Sequence, residues 1–178
     1  MDAPKLLIDD DHFQQVVRGG ILKAKVSLDI MTADFKAMLV PEHGASSKAV
    51  SIVEVFRRLA GRGVEIRLLH AGTPSGPALR ELKRQLPRGL TIRRCPRLHA
   101  KTVIVDCQSM YLGSANLTGA GLGAKGKNKR NFEMGIWTES PSLIDGVLEQ
   151  FNALWEARRC PSCLRKDVCP VPLEEPRL

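Results

Sequence analysis

The stretch Leu98-His99-Ala100-Lys101-Thr102-Val103-Ile104-Val105-Asp106 constrains the fold more than any other part of the chain. Five of its nine residues are aliphatic, and the β-branched run Thr102 to Val105 predicts a buried strand. A His and a Lys stand at the start of that strand. Side chains two apart on a strand point the same way, so His99 and Lys101 share one face. Asp106 falls on the other face with Ala100 and Thr102. A nucleophile or base beside a fixed cation is what attack on a phosphate needs.

The 178 residues predict one domain with a substantial core, and with aromatics at only 4% that core is mainly aliphatic. No apolar run approaches the roughly 20 residues of a membrane-spanning helix, so no membrane insertion is expected. Met1 to Asp11 carries acids and no apolar signal core, which points to a cytoplasmic protein. The net charge of +8 favours a polyanionic partner, either nucleic acid or an acidic lipid headgroup.

Phe13, Val16, Val17 and Ile21 recur at helical spacing and predict a helix over residues 11–21. Lys25–Ile30 alternates as a strand. Residues 32–48, with Pro41, His43 and Gly44, read as a loop or broken helix. Ile52, Val55, Phe56 and Leu59 mark a helix ended by Gly61 and Gly63. A strand at Val64–Leu69, a short helix through Leu79, Leu82 and Leu86, and a strand at Leu90–Arg94 follow. After the motif strand come strands at Met110–Ala115 and near Phe132–Trp137. Ser140-Pro141 opens a last helix, with Ile144, Val147, Leu148, Phe151, Leu154 and Trp155 on its apolar face. Alternating helices and strands followed by clustered strands predict an α/β domain, a mixed sheet with helices on both faces. It spans residues 1–158, and residues 159–178 form a tail rich in cysteine and proline. His12, His43 and His70 have no partner signature and are expected on the surface or in loops. Lys125, Lys127, Lys129 and Arg130, in the Gly- and Lys-rich stretch Gly119–Arg130, are candidate phosphate-backbone contacts; a solvated loop is the simpler alternative.

The ordered set His99-x-Lys101, four residues, Asp106, then Gly113-Ser114-x-Asn116, then a strand bearing Glu133, resembles the phospholipase D superfamily. The likeness is strongest to its short bacterial members with one copy of the motif, and Leu59–Leu69 extends it upstream. The resemblance implies a phospholipase D-like fold and a two-step transfer through a phosphohistidine. In that scheme His99 attacks phosphorus, and a second His99 from another subunit protonates the leaving oxygen. Lys101 and Asn116 hold the non-bridging oxygens, Ser114 joins them, and Glu133 bonds a ring nitrogen of His99. Asp106 points away and is expected to be structural. Such catalysis takes two motifs, whereas this chain has one and no internal repeat, so a homodimer is expected. The scheme needs no cofactor for catalysis. An imidazole with a pKa near 6.5 can serve as nucleophile or acid near neutrality.

Five cysteines without an export signal argue against a disulfide framework. Cys160-x2-Cys163-x5-Cys169 resembles the C-terminal motif of iron–sulfur nucleases of the AddB type, in which a fourth cysteine lies far upstream. The resemblance implies a structural [4Fe–4S] cluster, with zinc as the alternative. Candidates for the fourth ligand are Cys95, then Cys107 and His43. The leading expectation is a homodimeric phosphodiesterase acting on DNA or RNA. The alternatives are a phosphodiesterase of cardiolipin-type lipids and a non-catalytic nucleic-acid-binding module.

Overall fold

The computed structural model describes residues 3–41, 49–84 and 86–175. Seven strands form one sheet in the order β1 (Lys5–Ile8), β9 (Met134–Thr138), β8 (Ser109–Gly113), β7 (Thr102–Val105), β2 (Ser27–Thr32), β5 (Glu65–His70) and β6 (Leu90–Arg94). β2, β5 and β6 run parallel; every other pairing in the sheet is antiparallel. β3 (Leu39–Pro41) and β4 (Ala49–Ser51) form a separate antiparallel pair.

Strand alternation divides the core between the two faces. Leu28, Ile30, Ile66, Leu68, Val103, Val105 and Tyr111 point to one side. There they meet a π-type helix, Phe13–Gly20, with α1 (Ile52–Gly61) and α2 (Gly76–Arg84). Ser51 caps α1, its hydroxyl accepting from the Glu54 amide at 3.0 Å. On the other side, Met31, Leu69, Ile104 and Met110 pack under α3 (Pro141–Trp155) through Phe151, Trp155 and Ile144. Asp29 is also buried on that side. It pairs with Arg67 at 2.6 Å, and the guanidinium lies 4.7 Å from the Phe151 ring centroid. The domain is thus a mixed sheet with helices on both faces, as the pattern predicts.

Several boundaries differ from the sequence reading. β1 was not predicted: four residues in an acidic, Pro-containing stretch give too little alternation, and only pairing with β9 defines the strand. Residues 32–48 include β3, while His43 lies outside the described residues. β7 begins at Thr102, so His99 and Lys101 occupy the extended approach to the strand. His12 and His70 are not surface residues, being 0% and 1% exposed. Each side chain is held through Nδ1 by a backbone carbonyl, of Asp9 and Gly72 respectively. Burial lowers the His70 pKa below the ordinary histidine range.

Mixed pairing has one consequence for function. The start of β7, the ends of β8, β2, β5 and β1, and the start of β9 all meet at one edge of the sheet. That edge lies beyond the carboxyl ends of the parallel strands, where open α/β sheets bind ligands.

Candidate active site

His99 and Lys101 leave a turn in which the Leu98 amide donates to the Cys95 carbonyl at 2.9 Å. The Gly113 amide donates to the Lys101 carbonyl at 3.1 Å, tying the approach to the end of β8. His99 is exposed, whereas Lys101 is only 7% exposed. The Lys101 Nζ donates to the His99 carbonyl at 2.6 Å and stands 3.1 and 3.2 Å from the two ring nitrogens. Burial lowers the Lys101 pKa, and the Glu133 carboxylate opposes that shift. The His99 imidazole and the Lys101 ammonium are therefore adjacent.

The loop after β8 carries Ser114 and Asn116. Gly113 and Gly135 pair across β8 and β9 where the Tyr111 side chain leaves no room for a Cβ. The Tyr111 hydroxyl then accepts from the Ala115 amide at 2.9 Å and shapes the loop. Asn116 Oδ1 accepts from the Asp34 amide at 3.1 Å and from the Thr32 hydroxyl at 3.2 Å. Its NH2 group makes no hydrogen bond among the described residues, leaving it available as a donor.

Glu133 is buried just before β9. Its carboxylate accepts from the Ser114 hydroxyl and from the Asn131 side chain, the latter at 3.0 Å. No hydrogen bond joins Glu133 to His99 within the chain. The Ser114 hydroxyl directs its proton at Glu133 and accepts from the Met134 amide at 3.1 Å, so in this state it is not a partner of Asn116. Asp106, at the far end of β7, adopts φ 54° and turns its carboxylate onto the amides of Lys25, Val26 and Ser27. The bond to Val26 is 2.7 Å. This carboxylate fastens the start of β2 and takes no part in the edge that holds His99.

Lys125, Lys127 and Lys129 are exposed on the loop between β8 and β9. Arg130 differs from them: its guanidinium is spent on the Asp10 carboxylate and the Lys125 carbonyl, which hold the loop. A cavity of about 600 Å³ opens beside His99, lined among others by Arg97, Gln150, Leu154 and Arg159. Sequence reading missed Thr32, Asp34 and Asn131 as partners of the site, and Arg97 and Arg159 as its basic walls. Arg97 alone carried a usable signal, since it stands two residues before His99 in the motif stretch. Cys95, Cys160, Cys163 and Cys169 line a smaller cavity next to this one. Cys107 is exposed beside Asp106, across the length of β7 from them.

The family model described as "Cardiolipin synthase, PLD-like domain" matches residues 18–155. The chain belongs to the phospholipase D-like family. Its fold is similar to that of NucT from Helicobacter pylori (15% identity, TM-score 0.63, 86% of this chain and 96% of that one). It is similar also to the phospholipase D family member Nuc from Salmonella typhimurium (21% identity, TM-score 0.63, 86% and 95%). TrmBL2, an archaeal chromatin protein, shares the fold at 14% identity and TM-score 0.54, over 87% of this chain and 52% of that one. No curated protein sequence matches the chain. In this phospholipase D-like domain, among the described residues, no helix is long and apolar enough to cross a membrane.

Proposed function

We propose that the protein is a phosphodiesterase that cleaves nucleic acid through a phosphohistidine, in a site completed by a second copy of the chain. The observation that carries this reading is the meeting of His99, the Lys101 ammonium and the unpartnered Asn116 NH2 at one sheet edge. A neutral His99 attacks phosphorus. The P–N bond forms as the P–O bond to the departing strand breaks, and the leaving oxygen takes a proton from His99 of the second copy. Water then attacks phosphorus, the P–N bond breaks, and the water proton returns to that second imidazole. Lys101 and Asn116 stabilise charge on the non-bridging oxygens, where single donors are worth a few kcal/mol.

Two features support a shared site. One chain supplies one His-x-Lys pair. In addition, Leu6, Ile8, Leu112 and Met134 lie exposed on the α3 side of β1, β9 and β8, beyond the part that α3 covers. Phe132, 96% exposed beside Glu133, continues that surface to the site. A two-fold contact there would be self-complementary. A polyanionic substrate is supported by the net charge of +8, by Arg97 and Arg159 at the cavity, and by the exposed lysine loop, whose spread along the surface suits an extended nucleic-acid backbone. One fold neighbour, TrmBL2, is described as showing a novel mode of DNA binding.

The test offers labelled single- and double-stranded DNA and RNA, and cardiolipin vesicles, to the purified protein in EDTA. Cleavage of nucleic acid is expected. The His99→Ala variant should lose all turnover while keeping its fold and its affinity for the polymer. Undiminished cleavage by a folded His99→Ala protein would end the mechanism. Hydrolysis confined to the vesicles would replace nucleic acid with lipid as substrate, and polymer binding without cleavage of any substrate would make the chain a binding module.

A further inference from the structure

Cys95 stands just after β6, whereas Cys160, Cys163 and Cys169 follow α3. The fold nevertheless brings all four to one cavity of about 60 Å³, walled also by Arg97, Pro172 and Leu173. All four thiols are free and half-buried. Packing does not explain their convergence. The described part of the tail after α3 has neither helix nor strand and is a series of turns. In these the Cys160 amide donates to the Ala157 carbonyl at 2.9 Å and the Cys163 amide to the Cys160 carbonyl at 3.1 Å. Leu164, Val168 and Val171 face solvent, and Leu173 alone among the large apolar residues of the described tail packs on the Phe151–Trp155 cluster. The ion pairs of Glu174 with Arg94 and Glu175 with Arg93 are solvent-accessible and contribute little. The Arg94 amide also donates to the Glu174 carbonyl at 2.9 Å, which ties the end of the tail to β6, but neither this bond nor Leu173 accounts for the turns that carry Cys160, Cys163 and Cys169 to Cys95.

We propose that Cys95, Cys160, Cys163 and Cys169 bind a structural metal centre with four thiolate ligands, either zinc or an iron–sulfur cluster. Soft thiolates select these metals, and a complete set of four closes the coordination shell as structural sites require. As the chain stands, no three of its His, Cys, Asp or Glu residues among those described are gathered closely enough to hold an ion. Ligation would therefore tighten the tail's turns onto Cys95. That residue is the anchored ligand, its amide donating to the His70 carbonyl at 2.8 Å. Binding free energy then becomes ordering of the tail.

The position gives the centre a further role. Cys95 begins the turn that delivers His99, and Cys95, Cys160, Cys163 and His99 share the walls of the larger cavity. Arg97, between Cys95 and His99, already reaches the Cys163 sulfur at 3.7 Å. The centre would hold the approach to His99 from behind.

The test uses the whole chain, purified once aerobically with zinc supplied and once anaerobically with iron supplied. Metal and acid-labile sulfide are counted per chain. One zinc without sulfide, or four irons with sulfide and visible absorption, is expected; the two outcomes separate zinc from iron–sulfur. Cys95→Ser, Cys160→Ser, Cys163→Ser and Cys169→Ser should each lose metal, and Cys107→Ser should keep it. Should a serine variant fail to fold, alkylation of the native wild type decides. Metal-loaded protein should protect all cysteines except Cys107, and a strong chelator should expose them. Wild type that carries neither metal from either preparation overturns the proposal, as does a Cys160–Cys163 disulfide by mass spectrometry. So does metal that survives the serine substitutions. None of these readouts uses catalysis, so they stand or fall apart from the phosphodiesterase reading.

Discussion

The Asn116 amide has one orientation open to it. The backbone N–H of Asp34 can only donate, so the atom facing it is the carbonyl oxygen, and the NH2 is left as a free donor among the described residues. Thr32 shapes the same corner: its hydroxyl accepts from the buried Leu117 amide at 2.9 Å, and its single proton is shared between the Asp34 carbonyl at 2.8 Å and the Asn116 oxygen at 3.2 Å. Thr32→Val keeps the volume but strands the Leu117 amide, which costs roughly 1–3 kcal/mol. The expected result is a lower unfolding midpoint and a fall in kcat with little change in substrate Kd, measured by denaturant titration and single-turnover kinetics. Lys101 gives a different prediction. Because burial lowers its pKa, it loses its charge at a lower pH than a free lysine, whose pKa is about 10.4. A neutral amine cannot hold phosphoryl charge, so kcat/KM should decline on the alkaline side below that value. In Lys101→Arg the guanidinium stays charged, and whatever activity remains should lack that limb in a pH–rate profile.

Asp106 shows how a carboxylate at the end of β7 builds β2. The amides of Lys25 and Val26, just before β2, and of its first residue Ser27 all donate to this one side chain, which lies about 80 residues downstream. Asp106→Ala removes these charge-assisted bonds and places alanine at φ 54°, a left-handed conformation it adopts poorly. A loss of about 2 kcal/mol is expected, with faster hydrogen exchange at Val26 and Ser27. Asp106→Asn, which tolerates that φ and keeps an acceptor, should lose less. The same residue marks how far the sequence was legible. Alternation displayed β6 at Leu90–Arg94 with its true bounds, and the His-x-Lys spacing displayed His99 and Lys101 as neighbours. Asp106 could be assigned away from the site, but its partners, the amides at 25–27, leave no local trace in the sequence. The same holds for Thr32 and Asp34 around Asn116, and for the burial of His12 and His70. Each is a contact made by topology between residues far apart in the chain. The partner of Arg130 is likewise invisible locally, since only the fold brings Asp10 beside it.

The apolar surface of β1, β9 and β8 makes assembly testable. Met134→Glu places a charge opposite Ile8 on this surface, on the face of the sheet away from the π-helix, α1 and α2 core. The variant should be a folded monomer by sedimentation, with activity lost, while wild type sediments as a dimer and its specific activity falls on dilution. A wild-type monomer that is fully active would remove the shared site. The strand that forms the outer margin of this surface has another property. β1 precedes the other described strands, yet among them it pairs with β9 alone, with Lys5 opposite Trp137. As the chain emerges from the ribosome, β2, α1, β5, α2 and β6 can assemble from neighbouring segments. β1 must wait with Leu7 uncovered until β9 has been made. Long-range pairing of this kind is slow and exposes apolar surface meanwhile. Synthesis is therefore ordered so that the edge carrying His99, Asn116 and Glu133 closes last. A nascent chain of this protein would carry its His-x-Lys pair well before it had an edge on which to use it, so a stalled or truncated product would be inert.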